Sequence, residues 1–298
     1  MIVNYPRMRR KATLPIDLRF AIQFSSEESF SISTTKHWDG KIEYRNSDTW
    51  EEWDGSQVFA GESETGYSIY FRGTGNSVIT GSGSSTTKPW NISGTNVKCD
   101  GNIENLLDYK TVRGGGHPTM GSYCYADMFK SCNCLTKAPS LLAIALSDFC
   151  YNSMFSRCAS LAEAPSLPAT SLRHYCYTYM FYGCSSLIKP PSLPATFLRS
   201  HCYHSMFGNC INLMALPRLP ATTLSEQCYL AMFYGCTKIK ISTSATETYN
   251  KKYRIPFSKT GATATDALSS MFEGTGGTFA GTPTINTTYY LDESNEIV

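Results

Sequence analysis

The chain has 298 residues, 42% of them hydrophobic, enough to bury a real core in one or two domains and too apolar for a disordered tail. Only 17% of residues are charged, and Lys+Arg 26 stand against Asp+Glu 24, so no field strong enough to recruit nucleic acid is expected. No apolar run of about eighteen residues occurs, so no membrane insertion is expected, and residues 1–11 reach Asp17 and Arg19 before any stretch of Sec-signal length appears.

Residues 1–95 read as a β-rich N-terminal region that serves as attachment or cap. All four tryptophans, Trp38, Trp50, Trp53 and Trp90, lie there among Ser, Thr and Gly. Alternating segments such as Tyr67-Ser-Ile-Tyr-Phe-Arg72 predict short antiparallel strands. Two Trp-Asp-Gly triplets, at 38–40 and 53–55, carry a hairpin-turn signal. Gly73-Thr-Gly75-Asn76 lacks the third glycine and the following helix of a dinucleotide fingerprint. Residues 96–121 read as a degenerate first turn that covers the open end of an apolar stack. Within it, Gly114-Gly-Gly116 beside Arg113 and His117 is a flexible loop by default, with an anion cradle as the alternative.

A 26-residue step governs residues 122–240. It carries Cys124, Cys150, Cys176, Cys202 and Cys228, then Met128, Met154, Met180, Met206 and Met232, each followed by Phe. Cys132, Cys158, Cys184, Cys210 and Cys236 keep the same step, as do Leu135, Leu161, Leu187, Leu213 and Ile239, and Pro139, Pro165, Pro191 and Pro217. A unit of that length cannot bury its own apolar face and must stack on its neighbours. Leu198, Cys202, Met206 and Phe207 follow the i, i+4, i+8, i+9 spacing of one helix side, and Ser186-Leu-Ile-Lys-Pro-Pro191 reads as extended. Because proline has no N–H for a sheet ladder, the strands are expected to be very short. The predicted fold class is therefore α/β, a solenoid with one short strand and one short helix per turn, preceded by the β-rich region. Residues 241–298 read as an insertion, a degenerate last repeat at Met271-Phe272, and a C-terminal cap.

Ten of the twelve cysteines belong to the two columns. Eight residues along a helix is about 12 Å, too far for a disulfide, and the one close pair is Cys132-Asn-Cys134, so buried reduced thiols are favoured over disulfides or a metal. His174, His201 and His204 group locally, but no carboxylate is fixed beside them by motif spacing, so no metal and no cofactor is expected.

These units, Leu-x-x-Ala-Pro-x-Leu-Pro-Ala-Thr-x-Leu followed by Cys-Tyr-x-x-Met-Phe-x-Gly-Cys, resemble the BspA-type leucine-rich-repeat surface proteins throughout residues 122–240. The resemblance implies a leucine-rich-repeat scaffold and a role in adhesion, in a family found in gut bacteria, in protozoa and in their phages. It transfers no catalytic residue, and no G-x-S-x-G, H-E-x-x-H or Walker sequence is present, so an enzyme is not expected.

Columns that vary while the core repeats should point outward. They nominate Lys137, Glu163, Lys189 and Arg218 on the strand side, and Tyr179, Tyr182, His204 and Tyr234 on the other, as partner-binding candidates. The expected partner is a protein or glycan surface receptor, met on the extracellular surface of a virion or a bacterial cell. The alternative is a structural role, with homo-oligomerisation or virion assembly through the solenoid or the N-terminal region.

Overall fold

A computed structural model of the chain describes residues 16–63, 65–81 and 87–298. Residues 1–11, where a Sec signal was sought, lie outside the described residues. In the N-terminal region, alternating apolar residues build a seven-stranded sheet. Its spatial order is Leu135–Lys137, Val97–Asp100, Ile22–Ser26, Gly66–Thr74, Lys41–Arg45 and Glu51–Glu52, with Gly61–Ser63 also on Gly66–Thr74. A three-stranded sheet of Val58–Phe59, Ser31–Ser33 and Asn91–Ser93 packs with it. Between them Trp38 stacks on Trp53 at 5.4 Å, and Trp90 meets Trp53 edge-on at 4.9 Å. The Asp-Gly pairs do not make hairpin turns. Asp39 instead accepts the Ser77 and Val78 N–H groups at 2.9 and 3.1 Å, which ties one edge of the region down.

The α/β leucine-rich-repeat solenoid is overturned. Among the described residues the one α-helix is Asn105–Arg113, ahead of the repeats, and the strands gather in separate small sheets rather than one strand per unit. Where helices were expected, the backbone runs through successive tight turns. In one unit the N–H groups of Cys150, Asn152, Met154, Ser156 and Cys158 each reach back three residues, at 3.0 to 3.3 Å. The alternate N–H groups, of Phe149, Tyr151, Ser153, Phe155 and Arg157, leave the unit and bond the carbonyls of His174, Cys176, Thr178, Met180 and Tyr182 at 2.6 to 3.0 Å. A helix would have consumed every donor internally, four residues back.

Every fourth residue of these turns has a left-handed backbone. Phe149, Ser153 and Arg157 have φ of 62°, 54° and 61°, and Tyr175 and Tyr179 have 57° and 54°. Right-handed helix cannot pass through such residues. The resulting four-residue period still brings Cys176, Met180 and Cys184 inward, together with Tyr177 and Phe181. That is why the spacing imitated a helix side.

Adjacent units interlock through ladders of like rings. Tyr125, Tyr151, Tyr177, Tyr203 and Tyr229 stack at 5.7 to 5.9 Å. Phe129, Phe155, Phe181, Phe207, Phe233 and finally Phe272 stack at 5.5 to 5.7 Å. On the extended side the proline column limits pairing to single bridges such as Glu163 to Lys189 and Ser171 to Phe197. The buried residues of all regions form one cluster, in which Phe24 of the N-terminal sheet lies 6.1 Å from Phe129 of the first unit.

Past the repeats, Tyr249–Arg254, Thr288–Asp292, Lys240–Ser242 and Gly276–Gly277 make a four-stranded sheet, and Glu296–Ile297 pairs in parallel with Ala215–Leu216. Asn295, wholly buried, accepts the Lys240 N–H at 2.7 Å and donates to the Lys238 and Met214 carbonyls at 2.9 and 3.1 Å. No helix among the described residues is long and apolar enough to cross a membrane.

Candidate functional site

The left-handed position that opens each run of turns reaches the surface, whereas Ser153 and Ser205, left-handed four residues further on, are buried. The column 123, 149, 175, 201 therefore sets Tyr123, Phe149, Tyr175 and His201 side by side at the surface, half-buried, with rings 4.4 to 4.6 Å apart and nearly parallel. Such close stacking leaves mainly ring edges for solvent. At the His201 end the ladder opens into a broader aromatic group. His204 lies 5.6 Å from His201 and 5.0 Å from Tyr179, and Tyr179 meets Tyr182 edge-on at 5.5 Å.

Polar contacts fix these rings. The Tyr179 hydroxyl is 3.4 Å from His204 Nε2, and Ser200 Oγ is 2.6 Å from His201 Nδ1. Asn209 Nδ2 donates to the Tyr182 hydroxyl at 2.6 Å, which leaves the Tyr182 O–H proton for an outside acceptor. Tyr182 lies flat over the next unit at Gly208, where a Cβ would come within 2.8 Å of its ring. Burial, and secondarily the neighbouring His201, push the His204 imidazole down to about 4, so it is neutral near pH 7. The surface is thus aromatic and hydroxyl-bearing.

Of the predicted residues, the structure brings Tyr179, Tyr182 and His204 together in this group. Tyr234, 42% exposed, lies two units along in the Tyr182 column and makes no ring contact with the group. The charged candidates lie apart on the extended side and are locally engaged. Lys137 pairs with Asp100, Lys189 holds Glu296 at 2.7 Å, and the Arg218 guanidinium covers the Phe257 ring at 5.1 Å. Glu163 bridges to Lys189 through the backbone. His174 gives its backbone N–H to the Asp148 carboxylate at 3.0 Å, and its carbonyl accepts the Phe149 N–H at 2.9 Å. His117, beside the glycine run, faces the buried Glu104 carboxylate at 2.9 Å, which disfavours an anion there.

The sequence reading missed Tyr175 and Asn209, and weighed His201 only as a possible metal ligand. The signal was present: the step of 26 places an aromatic at 123, 149, 175 and 201 in succession. An aromatic that recurs in register resembles a core column, and the sequence alone does not separate this column from the buried Tyr125 and Phe129 ladders.

A polar groove of about 850 Å³ also runs over the outer face of the N-terminal sheet, past Gln23, Ser25, Tyr67, Tyr70 and Lys98. Smaller depressions of about 230 and 270 Å³ lie between the proline-bearing segments. No family model, no curated protein and no solved structure matches the chain.

Proposed function

We propose that this is a non-enzymatic binding protein whose aromatic surface, centred on Tyr179, Tyr182 and His204, takes a protein or glycan partner in adhesion. The setting is an extracellular surface, of a gut phage virion or a bacterial cell, as the likeness of the repeats to the BspA-type proteins implies. The observation that carries the reading is the clustering of held, partly exposed tyrosines and the neutral His204 across a unit boundary. Ordered aromatic side chains lose little entropy on binding and combine apolar area with a hydroxyl. Two such anchors contribute on the order of 2 kcal/mol or more each when truncated.

The test is binding of the labelled full-length chain to a panel of gut bacterial cells and host matrix proteins, beside the Tyr179→Ala/Tyr182→Ala double variant. Selective binding by the native chain that falls at least about tenfold in the variant, with unchanged melting, is the expected result. Strain-selective binding to bacteria indicates a virion receptor role, and binding to matrix indicates a bacterial adhesin. If the native chain binds neither surface and instead polymerises with rising concentration, adhesion gives way to assembly.

A further inference from the structure

The second cysteine column has a defect at its first member. Cys158, Cys184, Cys210 and Cys236 each donate their thiol hydrogen to a phenylalanine carbonyl in the preceding unit, Phe129, Phe155, Phe181 and Phe207, at 2.9 to 3.1 Å. Cys132 begins the column and makes no such bond; its sulfur lies 3.5 Å from that of Cys134, whose thiol donates to the Ile92 carbonyl of the preceding layer at 3.4 Å.

Cys134 belongs to neither column. Its equivalents one and two units on are Ser160 and Ser186, and it is the one cysteine that is not fully buried. The pair sits on a turn closed by the Leu135 N–H to the Cys132 carbonyl at 3.3 Å. Two residues of chain span at most about 7 Å, and a turn shortens that into the range a disulfide bridges. The sulfurs need to approach by only about 1.5 Å to bond.

We propose that Cys132 and Cys134 form a redox-active dithiol that reacts with low-molecular-weight disulfides. Cys134, as thiolate, attacks one sulfur of the disulfide, whose S–S bond breaks and whose other half leaves as a thiolate that takes up a proton. Cys132 then gives up its proton and attacks the Cys134 sulfur of the mixed disulfide, releasing the second small thiol. The two protein thiols are oxidised to one disulfide, and one small disulfide is reduced to two thiols. The assignment of roles follows exposure. It agrees with electrostatics, since the hydrogen bond from Cys132 lowers the Cys134 thiol below its ordinary value against the effect of burial. That same bond, with burial, raises Cys132.

The experiment treats the reduced full-length protein with glutathione disulfide, quenches with alkylator in denaturant, and maps the thiols by mass spectrometry. The expected product is a peptide two hydrogens lighter that joins 132 to 134, formed at least about tenfold faster than any other thiol reacts. Cys132→Ser should stop at a glutathione adduct on Cys134. Cys134→Ser, which copies the serine of the following units, should keep the native melt and form neither product. Twelve alkylatable thiols in the treated native protein, or oxidation spread evenly over the columns, overturns the proposal. If Cys132→Ser fails to fold, the map of the native chain alone decides.

Discussion

His204 shows how one side chain ties the aromatic surface to solution conditions. Its imidazole is neutral in the folded state down to about 4, whereas an unfolded histidine protonates near 6.5. The unfolded chain therefore binds the extra proton first. The stability that His204 contributes is complete above about pH 6.5 and is lost as the pH falls through that value toward 4. Melting curves at descending pH should show His204→Gln losing less stability than the native chain across that window. An imidazole that titrates near 6.5 by NMR in the native protein would refute the argument. Tyr182 depends on its neighbours in another way. Gly208→Ala places a methyl group into the ring's position, at 2.8 Å, so the ring must lift and its bond to Asn209 break. The expected outcome is a shifted Tyr182 ring resonance and a loss of partner binding matching that of Tyr182→Ala, with only a modest fall in melting temperature.

The repeated turn is the element at which sequence and structure part company. The period of 26, the inward Cys, Met and Phe columns and the brevity of the extended pieces were all legible, because burial and proline chemistry write themselves into residue type. The helix was not legible as false. A spacing of four satisfies both a 3.6-residue helix and a strict four-residue turn; Gly183, Asn209 and Gly235 mark only the last left-handed position of a unit, where a helix would also end, and Phe, Ser, Tyr, His and Ala at the others carry no glycine-like mark. The row of bonds to the next unit compensates for their backbone strain, and that row is invisible until two units lie side by side. Ala231, with φ 51°, separates the two structures. In a helix Ala231→Gly would cost about 1 kcal/mol. In the left-handed turn it relieves roughly 1 to 2 kcal/mol of strain against at most about 1 kcal/mol of added chain entropy, so the melting temperature should hold or rise.

Across the whole molecule, the N-terminal sheet, the turns and the C-terminal strands close over a single apolar interior. The N-terminal strands could be read from alternating segments such as residues 67–72, and the register of the worn Met271-Phe272 pair, which stacks on the unit before it at 5.6 Å, from the motif itself. The C-terminal latch could not, since it hangs on one asparagine 81 residues from its Met214 partner. Asn295→Ala leaves the Lys240 N–H and two carbonyls without that partner in a buried site, a loss of about 2 to 3 kcal/mol. Hydrogen exchange should quicken at Lys240 and along Glu296–Ile297 together. Exchange confined to the terminal residues would show that the latch is not cooperative with the strands it joins.

Each unit offers the same row of carbonyls on one side and the same row of N–H groups on the other. A duplicated or deleted stretch of 26 residues therefore meets matching partners at its new borders, and the chain can change length in evolution without redesign of its joints. The aromatic surface does not share that freedom. Tyr179 and Tyr182 come from one unit, and His204 and Asn209 from the next. Growth at that single border separates them, whereas growth on the N-terminal side leaves the group intact and alters only its distance from the N-terminal sheet. Recognition and reach are thereby set by different stretches of the same gene.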